Sequence, residues 1–188
     1  MSTLRKSYKL DLYRYFGDTG MKSFIKALFF MPGFRFTYFL RKAANAKQSK
    51  SLFSVFYLVL HRIYAVKYSI DIPVSTSIGE GLYIGHMGNV VVSVSAQIGK
   101  NCNIAQGVTI GRTSRGSKEG APTIGNSVWI GANAVVVGKI AIGDNVMIAP
   151  LTFVNMDIPA NSIVSGNPAQ IRSQEDATAG YVMNKVDL

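Results

Sequence analysis

Cysteine is all but missing from this chain. Cys102 stands alone, which excludes an intramolecular disulfide and suits a reducing, cytoplasmic setting. It falls four residues after Ile98, at an inward position of the period described below, so it reads as a core residue and not a nucleophile. Histidine is nearly as scarce. His61 and His86 are the only two, too few for a three-histidine zinc site, and no metal is expected. Acidic side chains are few beside basic ones, 10 against 20, for a formal net charge of +10. Long apolar runs are lacking as well: the stretch from Ser51 to Leu60 ends in His61-Arg62 and is too short to span a bilayer. The opening residues Arg5, Lys6, Lys9 and Asp11 are charged without an apolar run, so no secretory leader is read there.

What the chain has instead is a period of six. An aliphatic residue recurs at Ile72, Ile78 and Ile84, then at Val92, Ile98, Ile104 and Ile110, and again at Ile124, Ile130, Val136, Ile142, Ile148 and Val154. Glycine follows it at Gly79, Gly85, Gly99, Gly111, Gly125, Gly131 and Gly143. Neither a helix nor a simple strand alternation repeats in this way. The period predicts a parallel β-helix, in which three hexapeptides make one coil of roughly 18 residues. The aliphatic points inward, and glycine permits a tight corner. These residues hold a scaffold together, so chemistry is expected where the period breaks.

It breaks twice. Two extra residues bulge out between Ile84 and Val92, around Gly85-His86-Met87-Gly88-Asn89, and eight form a loop between Ile110 and Ile124. Insertions in a solenoid are extruded as loops on one side, often the binding side. The first carries His86. The second is polar, glycine-rich and basic, with Arg112, Arg115 and Lys118.

The domains expected are a helical segment over 1–68, the β-helix over 69–172 and a tail over 173–188. Residues 1–67 hold thirteen basic side chains against Asp11 and Asp18, and nine of the ten phenylalanines. They lack the six-residue phase and read as helices over roughly 5–15, 20–44 with a break at Pro32-Gly33, and 49–66. Such a segment suits a cap over the open end of the solenoid. Its basic and aromatic character also suits contact with an anionic membrane surface. No nucleic-acid recognition motif accompanies it.

At Ile84-Gly85-His86, Val108-Thr109-Ile110-Gly111 and Ser165-Gly166-Asn167-Pro168-Ala169 the chain resembles the left-handed β-helix acyltransferases, and within them the serine acetyltransferase branch. The resemblance is strongest to the members that O-acetylate capsular and exopolysaccharides. It implies a homotrimer with acetyl-CoA in the groove between neighbouring prisms. His86 matches the histidine that deprotonates the acceptor hydroxyl, and Asp71 its carboxylate partner. Coils stack at about 4.8 Å, so side chains one coil apart on one side of the prism can meet. The resemblance places the pantetheine arm of CoA along Gly111, Gly131 and Ala132; a backbone N–H near Gly111-Arg112 is expected to hold the oxyanion, Lys139 to meet the CoA phosphates, and Gly85, Asn89 and Arg115 to lie by the acceptor. Trp129 is expected at the trimer seam.

Two family residues are absent. Gly85 stands where serine acetyltransferases have Asp, and Ala121 precedes Pro122 where they have His. Both losses remove contacts to a zwitterionic acceptor. The expectation is therefore an acetyl-CoA-dependent O-acetyltransferase acting on a sugar hydroxyl of a bacterial surface polysaccharide or its lipid-linked precursor. The alternative is serine O-acetylation in cysteine biosynthesis. Pro150, which offers no N–H, is expected to alter the CoA contacts.

Overall fold

The computed structural model describes residues 7–186. The first residues of the helix expected over 5–15 and the end of the tail lie outside them. Four helices come first: α1 (Ser7–Phe16), α2 (Met21–Phe30), α3 (Pro32–Gln48) and α4 (Ser54–Tyr68). The expected break falls between α2 and α3. Pro32 takes the first position of α3, where its missing N–H costs nothing. Ser69 ends α4 in the left-handed region, φ 53°, and donates its N–H to the carbonyls of Ala65 and Val66.

The solenoid follows, coil by coil. The first coil is β1 (Ile70–Asp71), β2 (Ser77–Ile78) and β3 (Tyr83–Ile84); the second is β4 (Val90–Val92), β5 (Gln97–Ile98) and β6 (Asn103–Ile104). The third is β7 (Thr109–Gly111), β8 (Thr123–Ile124) and β9 (Trp129–Ile130), and the fourth β10 (Val135–Val137), β11 (Ala141–Ile142) and β12 (Val146–Ile148). The fifth holds β13 (Phe153–Val154) and β14 (Ser162–Ser165), against which β15 (Gln170–Ser173) folds antiparallel. Stacking makes three parallel faces: β1-β4-β7-β10-β13, β2-β5-β8-β11, and β3-β6-β9-β12-β14. We call them the first, second and third faces.

The period of six is the core. Twelve of its thirteen aliphatics are buried and Ile78 is half-buried against them. Cys102 is fully buried among them, and burial pushes its thiol up to about 12. Glycine is required at the corner after the second face, where coils approach too closely for a side chain. A Cβ on Gly79 would lie 2.6 Å from Gly99, and one on Gly99 would lie 2.4 Å from the Gly125 carbonyl.

The helices close the open end. Phe36, Leu40, Ala65 and Tyr68 join the solenoid core, while Leu12, Ala27 and Phe34 form a second, aromatic-lined cluster. An unpaired first coil would leave buried backbone groups without partners. Side chains of α1 and α3 supply them. Arg41 donates to the carbonyls of Ile78 and Gly79 and pairs with the fully buried Asp11 at 2.9 Å, and Asp11 accepts from the Leu82 N–H. Arg14 donates to the Gly81 carbonyl and to Asn103. The Tyr15 hydroxyl bonds both backbone groups of Ile84. Gly33 lets α3 press against that same residue, for a Cβ there would sit 1.8 Å from the Ile84 oxygen.

Beyond β15 the chain runs back along the corner between the second and third faces. Asn145 donates to the Glu175 carbonyl and accepts from Thr178, Asn103 donates to the Tyr181 carbonyl, and Asn101 bonds both backbone groups of Val186. Arg14 accepts this end too, donating to the Met183 carbonyl.

Candidate active site

The bulge after β3 is a built corner. The Gly88 N–H donates to the Tyr68 carbonyl at 3.0 Å and the Val90 N–H to Ser69 at 3.1 Å, while the Gly88 carbonyl accepts from Gly107. Gly88 (φ 118°) and Asn89 (φ 49°) turn in the left-handed region, which these two residue types tolerate. His86 stands exposed at the crest.

From His86 a groove of about 380 Å³ runs up the corner column, past Gln106 in the second coil and Ala132 in the third to Pro150 in the fourth. Tyr83, Asn103, Trp129 and Tyr181 form its side. Trp129 and Tyr181 pack at 4.9 Å between ring centroids, so the returning tail is one wall of the groove. Trp129, expected at a seam between copies, thus lines the groove within a single chain. Tyr181 could not be foreseen, because the tail carries no period and its docking depends on scattered asparagines.

The sequence-derived residues fall into two groups. Gly85, His86 and Ala132 line the groove, with Asn89 at the same corner. Gly131 does not line it: a Cβ there would lie 2.6 Å from the Pro150 nitrogen, so this glycine serves coil stacking. Gly111, Arg112, Arg115 and Lys139 lie across the first face, at the opposite corner. There the long loop folds back on itself through two Thr113–Gly120 backbone bonds of 2.9 Å. Arg112 pairs with Glu119 at 3.2 Å, the Lys118 carbonyl accepts from the Lys139 N–H, and the Lys118 ammonium donates to the Asn155 carbonyl. The basic loop is anchored along the corner, with Arg115 exposed near its tip.

Asp71 and His86 are not joined by a hydrogen bond or ion pair among the described residues. The reason is register. Asp71 pairs with Val91, beyond the bulge, so it is level with the strand that follows His86 and not with His86 itself. Its charge reaches His61. Burial lowers the pKa of His61, opposed by the Ile72 backbone and by Asp71. His61 packs on Phe36, and its Nε2 is buried without a hydrogen-bond partner. It belongs to the cap. No group of three or more His, Cys, Asp or Glu side chains that could hold a metal occurs among the described residues.

Comparison with known proteins follows this architecture. The family described as bacterial transferase hexapeptide (six repeats) matches residues 121–155. A serine acetyltransferase of Synechococcus elongatus is 32% identical over 169 residues, 90% of this chain and 67% of its own. Serine acetyltransferase 2 of Arabidopsis thaliana is 37% identical over 117 residues, 62% of this chain. The chain spans 36% and 47% of the length of two Arabidopsis relatives it matches. Among solved structures, a serine acetyltransferase in complex with coenzyme A from Brucella abortus strain S19 superposes with a TM-score of 0.77 at 26% identity, covering 92% of this chain and 68% of that one.

Proposed function

Since the chain belongs to the serine acetyltransferase family of hexapeptide-repeat proteins, we propose that it transfers an acetyl group from acetyl-CoA to the hydroxyl of L-serine. The observation that carries this reading is His86 at the mouth of a groove built by the corner column, in a fold matched by a relative solved with coenzyme A.

This replaces the polysaccharide reading. Relatives covering most of the chain are serine acetyltransferases, whereas the sugar acceptor rested on a resemblance to the polysaccharide-acetylating members and on two missing contacts, at Gly85 and Ala121. A missing contact weakens one ligand without selecting another. The groove offers other polar groups for an amino acid's charged ends, namely Tyr83 and Gln106.

In the proposed reaction His86 takes the hydroxyl proton as the serine oxygen attacks the thioester carbonyl. The tetrahedral intermediate then expels the CoA thiolate, which receives that proton from His86. No covalent acyl-enzyme is needed, because both substrates are held together. Asp71, on the strand beside the exit of the bulge, is assigned the stabilisation of the imidazolium, the role of the acid in hydrolase triads. A homotrimer resolves the division of the site. Prisms packed side by side set Arg112, Arg115 and Lys139 of one copy against the groove of the next, where the CoA phosphates attract them and Gly111 leaves room for the pantetheine arm.

The test is release of CoA thiol from acetyl-CoA in the presence of L-serine. His86→Ala is expected to lower turnover by about 10²–10⁴-fold with circular dichroism and assembly unchanged. Asp71→Asn is expected to cost less, and the double variant little more than His86→Ala. Full activity in His86→Ala removes the base; no acetyl transfer to serine by the unmodified chain removes the acceptor.

A further inference from the structure

The two outer helices are apolar on both sides. The inner side of α2 gives Ala27 and Phe24 to the aromatic cluster, and that of α4 buries Ala65 and Tyr68. The outer sides are nevertheless unpolar. Met21, Ile25 and Phe29 stand exposed at intervals of four along α2, with Phe30 beside them at 74%. On α4 the same spacing exposes Val55, Val59 and Ile63. Between α3 and α4 the connection turns Leu52 (99%) and Phe53 outward. A contiguous helix face of this kind, unlike scattered apolar residues, marks a contact surface.

Charge says what it meets. From residue 19 to residue 70 there is no Asp or Glu, against nine Lys and Arg. Arg41 is consumed by the cap and Arg35 by the carbonyls of Leu28 and Phe29. Lys22, Lys26, Lys50, Arg62 and Lys67 are exposed around the apolar side chains and, among the described residues, in no ion pair. A second copy would bring the same positive charge to the same positive charge, and Asp18 at the start of α2 is already bonded to Gly20 and Ser23. No helix among the described residues is long and apolar enough to cross a membrane. We propose that α2, α4 and the connection before α4 lie on an anionic lipid bilayer, with Phe29, Phe30, Leu52 and Phe53 entering the headgroup boundary and the lysines held by lipid phosphates.

The experiment uses the whole chain and vesicles of phosphatidylcholine, with and without phosphatidylglycerol, sedimented at low and high salt. Binding is expected only with phosphatidylglycerol and is weakened by salt. Lys22→Gln/Lys26→Gln lowers the partition by about 10- to 30-fold, and Phe29→Ser/Phe30→Ser by at least about 10-fold. All four positions are exposed, so the variants keep the circular dichroism of the parent. Leu52→Trp reports insertion directly as a blue shift on anionic vesicles over the constant Trp129 background. The proposal is overturned by absence of binding at low salt, or by binding indifferent to the phenylalanines. Lipid-free self-association abolished by Phe29→Ser/Phe30→Ser, without vesicle binding, assigns the face to a second copy and overturns it equally.

Discussion

Gly33 puts two physical rules in opposition. It is the second residue of α3, and helix propensity alone favours alanine there by up to about 1 kcal/mol. Its surroundings argue the reverse. A Cβ would lie 1.8 Å from the Ile84 oxygen, 2.8 Å from the Ile84 carbonyl carbon and 3.0 Å from the Tyr15 hydroxyl. Reaching even 3.0 Å requires 3.0 − 1.8 = 1.2 Å of retreat by α3 or β3. Neither is free to move, since Phe36 and Leu40 of α3 lie in the core and Tyr15 ties Ile84 to α1. Overpacking of this kind costs about 1–3 kcal/mol, and loosening the Tyr15 bond adds about 1 kcal/mol. Gly33→Ala is therefore expected to destabilise by about 1–3 kcal/mol net. Gly116 provides the control. It has φ +85° with nothing within 4 Å, so Gly116→Ala costs only left-handed strain, about 1 kcal/mol. Urea unfolding followed by circular dichroism reads both, and acetyl transfer reads whether displaced Ile84 disturbs His86 two residues on. A Gly33→Ala protein as stable as the parent refutes the packing argument and leaves propensity in charge.

The buried Asp11–Arg41 pair makes a second case: Asp11→Ala leaves a buried guanidinium unpaired and is expected to cost about 3–5 kcal/mol in urea unfolding. Cys102, with its thiol pushed up to about 12 by burial, should resist alkylation at mildly alkaline pH and react only on unfolding, as timed thiol labelling will show. His61 has its pKa lowered in the fold, so below the ordinary histidine value of about 6.5 the unfolded chain binds the extra proton. Stability is thus complete above that pH and falls as acid is added, and melting curves of His61→Leu should show less of this loss than the parent.

The scaffold was legible because its signal is redundant: each coil repeats the demand for an inward aliphatic at three places, and an error at one is corrected by its neighbours. The helical segment could be placed from lost phase and a proline. The site was legible only where a residue is unusual for its place, as His86 is at a break in the period. Gly131 resembled a ligand contact, but spacing cannot separate a glycine that admits a ligand from one that admits the next coil. The resemblance paired Asp71 with His86; in the fold the bulge takes up the two extra residues and Asp71 lies level with Val91. Substrate choice was misread because two absent contacts were given more weight than the polar groups of Tyr83 and Gln106, which come together in one groove only in the fold.

A stack of coils ordinarily behaves as a one-dimensional chain of neighbours, and its end units fray first because each has a partner on one side only. The returning tail changes that topology. It leaves the fifth coil at Gln174, whose N–H bonds Asn161, passes Asn145 in the fourth and Asn101 and Asn103 in the second, and finishes beside Arg14 of the cap. The two ends of the stack are thereby strapped to one another, so neither can unzip without first releasing a strap held at several coils. The solenoid should melt as one unit instead of peeling from its ends. Because Tyr181 is part of that strap, the groove wall opens only when the strap does.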